Sequence, residues 1–172
     1  ESTKFPDIQT IKDRLKLGII GLGHIHQRQT EALQAENIPV AAVCDKDPQK
    51  AEAALRLNAQ FLTEVDDILA TPKVDTVLIA VPNEQHFMVA KAALEAGKHV
   101  LLEKPATNSL SELAELYTLA DAHGVKLIIA FHAAFAADLQ WYLSNRDKVD
   151  QGEKIVGFNC GFYDPHFTNG EL

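Results

Sequence analysis

The sequence predicts a doubly wound α/β domain on a parallel sheet, followed by the start of a second domain. Three observations carry that expectation. Short runs rich in Val, Ile and Leu, apolar on both faces, recur along the chain; longer amphipathic stretches with recognisable caps separate them; and a glycine pair directly follows the first run. Strands apolar on both faces belong inside a sheet covered by helices on each side. Strand–helix alternation over about 130 residues calls for right-handed crossovers between parallel strands.

Residues 1–15 are polar and lack a signal-peptide pattern, so they read as an N-terminal extension. The first strand is Leu17–Ile20 and the second Val40–Cys44. Asp47-Pro48 then offers an N-cap with proline at the first helical position, where its missing N–H costs nothing, and the helix runs through Ala51, Ala54 and Leu55. A weaker strand lies near Gln60–Leu62, and a strong one spans Thr76–Val81. Phe87–Ala96 forms a helix closed by Gly97, and His99–Leu102 is the next strand. Ser109-Leu-Ser-Glu112 has capping-box spacing; Leu113, Leu116, Leu119 and Ala120 make the apolar stripe behind it; Gly124 ends the helix. Lys126–Phe131 is the last strand of the sheet, and Phe135, Leu139, Trp141 and Tyr142 fall on one helix face. The chain turns polar over 145–153, which places the domain boundary at 150/151. Ile155–Tyr163 alternates like a strand with one exposed face and starts the second domain, 151–172.

Composition narrows the function. The 172 residues hold 16 Lys plus Arg against 24 Asp plus Glu, a formal charge of −8. With a pI near 5.3, a dedicated nucleic-acid binder is not expected, since that function needs clustered cations. No apolar run reaches the ~18 residues of a membrane span. Cys44 and Cys160 lack metal-ligand spacing and read as free thiols of a cytoplasmic protein.

Gly21-Leu-Gly23 is the first chemical signal. A strand feeding glycines and then a helix brings backbone N–H groups to a pyrophosphate. The first glycine permits the tight turn and the second removes a side chain that would block the phosphates; His26 stands where the full fingerprint has its third glycine. Asp45 ends the second strand, 24 residues after Gly21, placed to accept from the adenosine ribose hydroxyls. Its charge opposes a 2′-phosphate and favours NAD, while the adjacent Lys46 partly offsets this and leaves NADP open. His24 and His26, on alternate positions at a helix start, make a poor metal chelate, and no metal site is expected.

Further along, Val81-Pro-Asn83, His86, Ala96-Gly-Lys-His-Val100 and Glu103-Lys-Pro105 follow in order. Together with Gly21-Leu-Gly23 and Cys44-Asp45, this series resembles the glucose–fructose oxidoreductase/inositol dehydrogenase (Gfo/Idh/MocA) family of NAD(P)-dependent oxidoreductases, over about Leu17 to Phe131. The resemblance implies a Rossmann domain. It implies that Lys104 is catalytic, near the nicotinamide and the substrate hydroxyl, where an ammonium polarises the reacting oxygen. It implies a cis bond before Pro105, Glu103 at the nicotinamide end, and Val81, Pro82 and Asn83 beside the cofactor ribose, with His86 close to that loop. The expected cofactor contacts are therefore Gly21, Gly23, His24, Ile25, Asp45, Lys46, Val81, Pro82, Asn83, His86, Glu103, Lys104 and His132.

The chain departs from the family after its last strand. Many members carry Asn-Arg-Arg-Phe there; this chain has His132-Ala-Ala-Phe135, so His132 is left to a sugar hydroxyl or the nicotinamide carboxamide. The resemblance implies a second, α+β domain that supplies an Asp-x-x-x-His segment, and this chain is expected to hold only its truncated start, about 20 residues. Asp164-Pro-His166 comes too early to be that segment. The implied activity is hydride transfer on a CH–OH group of a sugar, polyol or related small molecule, by an intact protein that forms homo-oligomers; the fragment alone is expected to be inactive. The alternative is a non-catalytic dinucleotide-binding sensor or partner-binding module.

Overall fold

The computed structural model describes residues 8–131 and 137–150. In chain order the elements are α1 (Ile8–Arg14), β1 (Leu17–Ile20), α2 (His26–Ala35), β2 (Val40–Cys44), α3 (Ala51–Leu57), β3 (Gln60–Leu62), α4 (Val65–Ala70), β4 (Thr76–Ile79), α5 (Asn83–Glu95), β5 (His99–Leu102), α6 (Leu110–His123), β6 (Leu127–Ile129) and α7 (Ala137–Asp150). A short 3₁₀ turn, Pro48–Lys50, precedes α3. The six strands are all parallel, in the order β3-β2-β1-β4-β5-β6. The doubly wound expectation holds. The expected strand Ile155–Tyr163, and with it Cys160 and His132, lies outside the described residues.

The chain divides into two compact units, 1–131 and 132–172. The sequence boundary was set at the polar stretch near 150; helix α7 falls in the second unit. Within the first unit, alternation along the strands feeds two cores. Ile20, Val77, Ile79, Val100 and Leu102 pack with Ile68 of α4, Leu94 of α5 and Leu116 of α6. Leu17, Ile19, Val43 and Leu78 pack on the opposite face with Ala54 of α3, and Leu33 of α2 lies against that cluster. Both faces are covered, which is why the strands read as continuous apolar runs.

Local chemistry explains the element ends. Asp47 accepts from Gln49 N–H at 3.0 Å and starts the 3₁₀ turn before α3. Ser109 caps α6 by accepting from Glu112 N–H at 3.2 Å, while Glu112 reaches back to Asn108 N–H, one residue earlier than the expected box. Gly124, at φ +66°, closes α6 in the left-handed region. Strand β4 stops at Ile79, short of the expected Val81, because Pro82 has no N–H to continue a ladder. The expected polar extension contains α1, whose Lys12 ammonium pairs with Glu36 Oε2 at 3.1 Å. Helix α4 was not expected either; Lys98 Nζ donates to Thr71 O and Val74 O, at 3.2 and 2.6 Å, and ties down the turn after it.

The register aligns the carboxyl ends of the central strands: Ile20 lies opposite Cys44 of β2 and Ile79 of β4. Gly21 then turns at φ +94°, and a Cβ built there would lie 2.6 Å from Ala80 O. Both the conformation and the contact exclude a side chain. Gly21→Ala is therefore expected to cost about 2–4 kcal/mol of stability, strain and overpacking together, read by urea unfolding. A loss well under about 1 kcal/mol would contradict the close approach.

Candidate functional site

Strand order reverses direction between β1 and β4, and the connections after them leave the sheet on opposite faces. In open α/β sheets that is where a crevice forms. Here a cleft of about 410 Å³ opens at the carboxyl ends of β1, β2 and β4. Gly21, Gly23, His24, Asp45, Lys46, Val81 and Pro82 line it, all seven from the expected set.

The glycine turn leaves donors free. A Cβ on Gly23 would meet nothing within 4 Å, so this glycine faces open space where Gly21 faces backbone. Helix α2 has no side-chain cap at Ile25, and the N–H groups of Gly23, His24 and Ile25 have no acceptor among the described residues. An uncapped helix start beside open space suits an anion such as a pyrophosphate. His26 turns its Nδ1 onto Gly23 O, so the side chain in the third fingerprint position is absorbed by the turn itself.

Asp45 is tied to this turn. Its Oδ2 accepts from Leu22 N–H at 2.7 Å and its Oδ1 from Asp47 N–H at 2.9 Å. A carboxylate offers about four lone-pair sites, so it has capacity for ribose hydroxyls as well. Lys46 is exposed beside it. The neighbouring thiol of Cys44 is buried. Burial, with the Asp45, Glu64 and Asp67 carboxylates, pushes it up from 9.0 to about 11.

The other expected residues do not line the cleft. Ile25 stands at the start of α2, and Asn83 begins α5 with its side chain exposed. His86 is buried beneath the loop, with Nδ1 2.6 Å from Pro105 O and Nε2 2.9 Å from Val81 O. Glu103, at the end of β5, accepts from Gln29 Nε2 at 2.7 Å and from Lys104 N–H at 3.2 Å. The Lys104–Pro105 peptide is cis, as the resemblance implied. The Lys104 ammonium is exposed and makes no hydrogen bond or ion pair among the described residues.

Thr63, Val65 and Gln85 also line the cleft and were not anticipated. Thr63 and Val65 follow β3, whose three residues gave too weak a strand signal to mark a loop at the sheet's carboxyl edge. Gln85 was findable: helix α5 starts at Asn83, one turn earlier than the apolar stripe suggests. Gln29, which holds Glu103, lies three residues beyond His26 on α2, and only the tertiary contact reveals it.

The sheet order, the glycine turn and the acidic end of β2 around one crevice define a dinucleotide-binding domain. More narrowly, the chain belongs to the Gfo/Idh/MocA family: the profile described as "Oxidoreductase family, NAD-binding Rossmann fold" matches residues 15–131. Among curated relatives, the uncharacterized oxidoreductase YdgJ of Escherichia coli is 32% identical over 91% of this chain and 44% of its own length. An inositol 2-dehydrogenase/D-chiro-inositol 3-dehydrogenase of Lactiplantibacillus plantarum is 30% identical over 83% of this chain and 41% of its own. The crystal structure of the WlbA dehydrogenase of Chromobacterium violaceum, in complex with NADH and UDP-GlcNAcA, superposes with a TM-score of 0.74 at 26% identity, over 80% of this chain and 41% of that one. The chain thus spans less than half the length of these relatives. No helix among the described residues is long and apolar enough to cross a membrane.

The Cys44 geometry makes a prediction. A thiol raised to about 11 stays protonated at neutral pH, so peptide-resolved iodoacetamide labelling should leave Cys44 unmodified in the folded chain and modify it in urea. The sign of its linkage to stability follows. Above pH 9.0 the unfolded thiol ionises while the folded one does not, so its contribution to stability declines as pH rises from 9.0 toward about 11. Rapid native labelling at neutral pH would contradict the burial.

Proposed function

We propose that this chain is the cofactor-binding part of an NAD(P)-dependent oxidoreductase that acts by hydride transfer on a CH–OH group of a sugar, polyol or related compound. The observation that carries the reading is a donor-rich crevice, together with a Lys104 ammonium, on the connection after the neighbouring strand, that has no partner among the described residues. The N–H groups of Gly23, His24 and Ile25 would hold the pyrophosphate, and Asp45, anchored by Leu22, would hold the adenosine ribose, with Val81 and Pro82 forming the wall of the same cleft. When bound, the nicotinamide supplies the hydride chemistry. Lys104 orients and polarises the substrate oxygen and assists its proton transfer, and Glu103 borders that end of the site. In a protein of the relatives' full length, a histidine of the second domain would share the proton. The substrate class is supported by the inositol dehydrogenase and the sugar-nucleotide dehydrogenases among the relatives. The free ammonium favours an enzyme over a sensor, which has no use for one at that position.

Titration of NADH fluorescence tests the cofactor site. Gly23→Ala should leave stability within about 0.5 kcal/mol and raise the NADH dissociation constant by about tenfold or more. Equal affinity in the variant would remove the phosphates from the glycine turn. Asp45→Ala should weaken NAD and relax discrimination against NADP; NADP binding better than NAD in the unaltered chain would overturn the role given to Asp45. In a protein of the relatives' full length, Lys104→Ala should lower turnover by about 100-fold or more with cofactor affinity within several-fold. Unchanged turnover would sink the assignment.

A further inference from the structure

Among the described residues, His86 is the only buried polar or charged side chain, 1% exposed in the first turn of α5. Its two ring nitrogens face two carbonyl oxygens, Pro105 O at 2.6 Å and Val81 O at 2.9 Å. Neither partner has a proton to give. A neutral imidazole carries one N–H, so it serves one carbonyl and turns a lone pair toward the other. The doubly protonated ring donates to both, and charge-assisted bonds are the stronger kind.

The two carbonyls belong to different connections. Val81 lines the cleft after β4; Pro105 directly follows Lys104 after β5. On the other side of Lys104, Glu103 is held by Gln29 of α2 at 2.7 Å. Lys104 therefore sits between two tied neighbours, while its own ammonium has no partner among the described residues.

We propose that His86 is a positioning residue: its doubly protonated ring spans the two connections and fixes where Lys104 stands relative to the cleft. The consequence for hydride chemistry rests on the reading of Lys104 given above; the tie itself does not. The charged groups at this end of the surrounding elements are Glu84 on α5, Glu103 and Lys104 after β5, and Glu112 in the first turn of α6; the Val81 connection carries none.

The test is NMR on the ¹⁵N,¹³C-labelled chain without cofactor, with the His86 ring signals assigned by their loss in His86→Gln. The ring nitrogens are followed from about pH 5 to about pH 9, the range in which histidines change charge. Both nitrogens should carry protons at the acid end. As pH rises and one proton leaves, the Val81 and Pro105 carbonyl carbons and the Lys104 amide should shift on the ring's own curve. A ring that keeps both protons throughout supports the tie, and His86→Phe, which keeps the bulk and loses both donors, should then displace the Lys104 amide signal from its place in the unaltered chain. One bare ring nitrogen across the whole range overturns the proposal. So does a Lys104 amide that stays still while the ring titrates, or that is unmoved by His86→Phe. The unaltered chain carries the titration alone if His86→Phe does not fold. Absence of NADH binding would defeat the proposed function and leave the ring result standing.

Discussion

The close approach of Gly21 to the Ala80 backbone is the constraint on which the site depends. Ile20 pairs with Cys44 on one side and Ile79 on the other, so the chain must turn at Gly21 with no room for a side chain. That turn starts α2 over the edge of the sheet. It leaves three N–H groups without acceptors among the described residues and lets Asp45 reach Leu22 N–H. A bulkier first residue would push the β1 connection away from β4 and open the crevice at its floor. The second glycine differs: nothing touches the place its Cβ would take, so the packing does not require its smallness.

Polar groups at the carboxyl end of the sheet fall into two sets. Asp45, His86 and Glu103 spend their hydrogen bonds on backbone or on Gln29. The turn N–H groups and the Lys104 ammonium have no partner among the described residues. Tied groups hold the connections after β1, β4 and β5 in place, and the turn itself opens onto the cleft. A site built this way is organised before the cofactor arrives, which reduces the ordering cost of binding.

Much of this was legible in the sequence, because both faces of the strands are covered and Gly, Asp and Pro mark their ends. Six apolar runs became six strands, and seven expected residues line the cleft. What the sequence hid has physical reasons. Helix α1 looked like a polar tail because five of its seven residues are polar and its partner, Glu36, is 24 residues away from Lys12. Helix α4 is only six residues long, too short for periodicity to register. His86 looked like a ligand contact from its place after Val81-Pro-Asn83; burial of its ring shows only in three dimensions. Its partner Pro105 is 19 residues distant, and no local pattern encodes that bond.

The claim that everything converges on one crevice is tested most directly by amide chemical-shift mapping of the labelled chain during titration with NAD. The account predicts perturbations at Gly23–Ile25, Asp45, Lys46, Val81 and Asn83, with smaller ones at Lys104. Perturbations centred on α6 or β6, or none at millimolar cofactor, would contradict it.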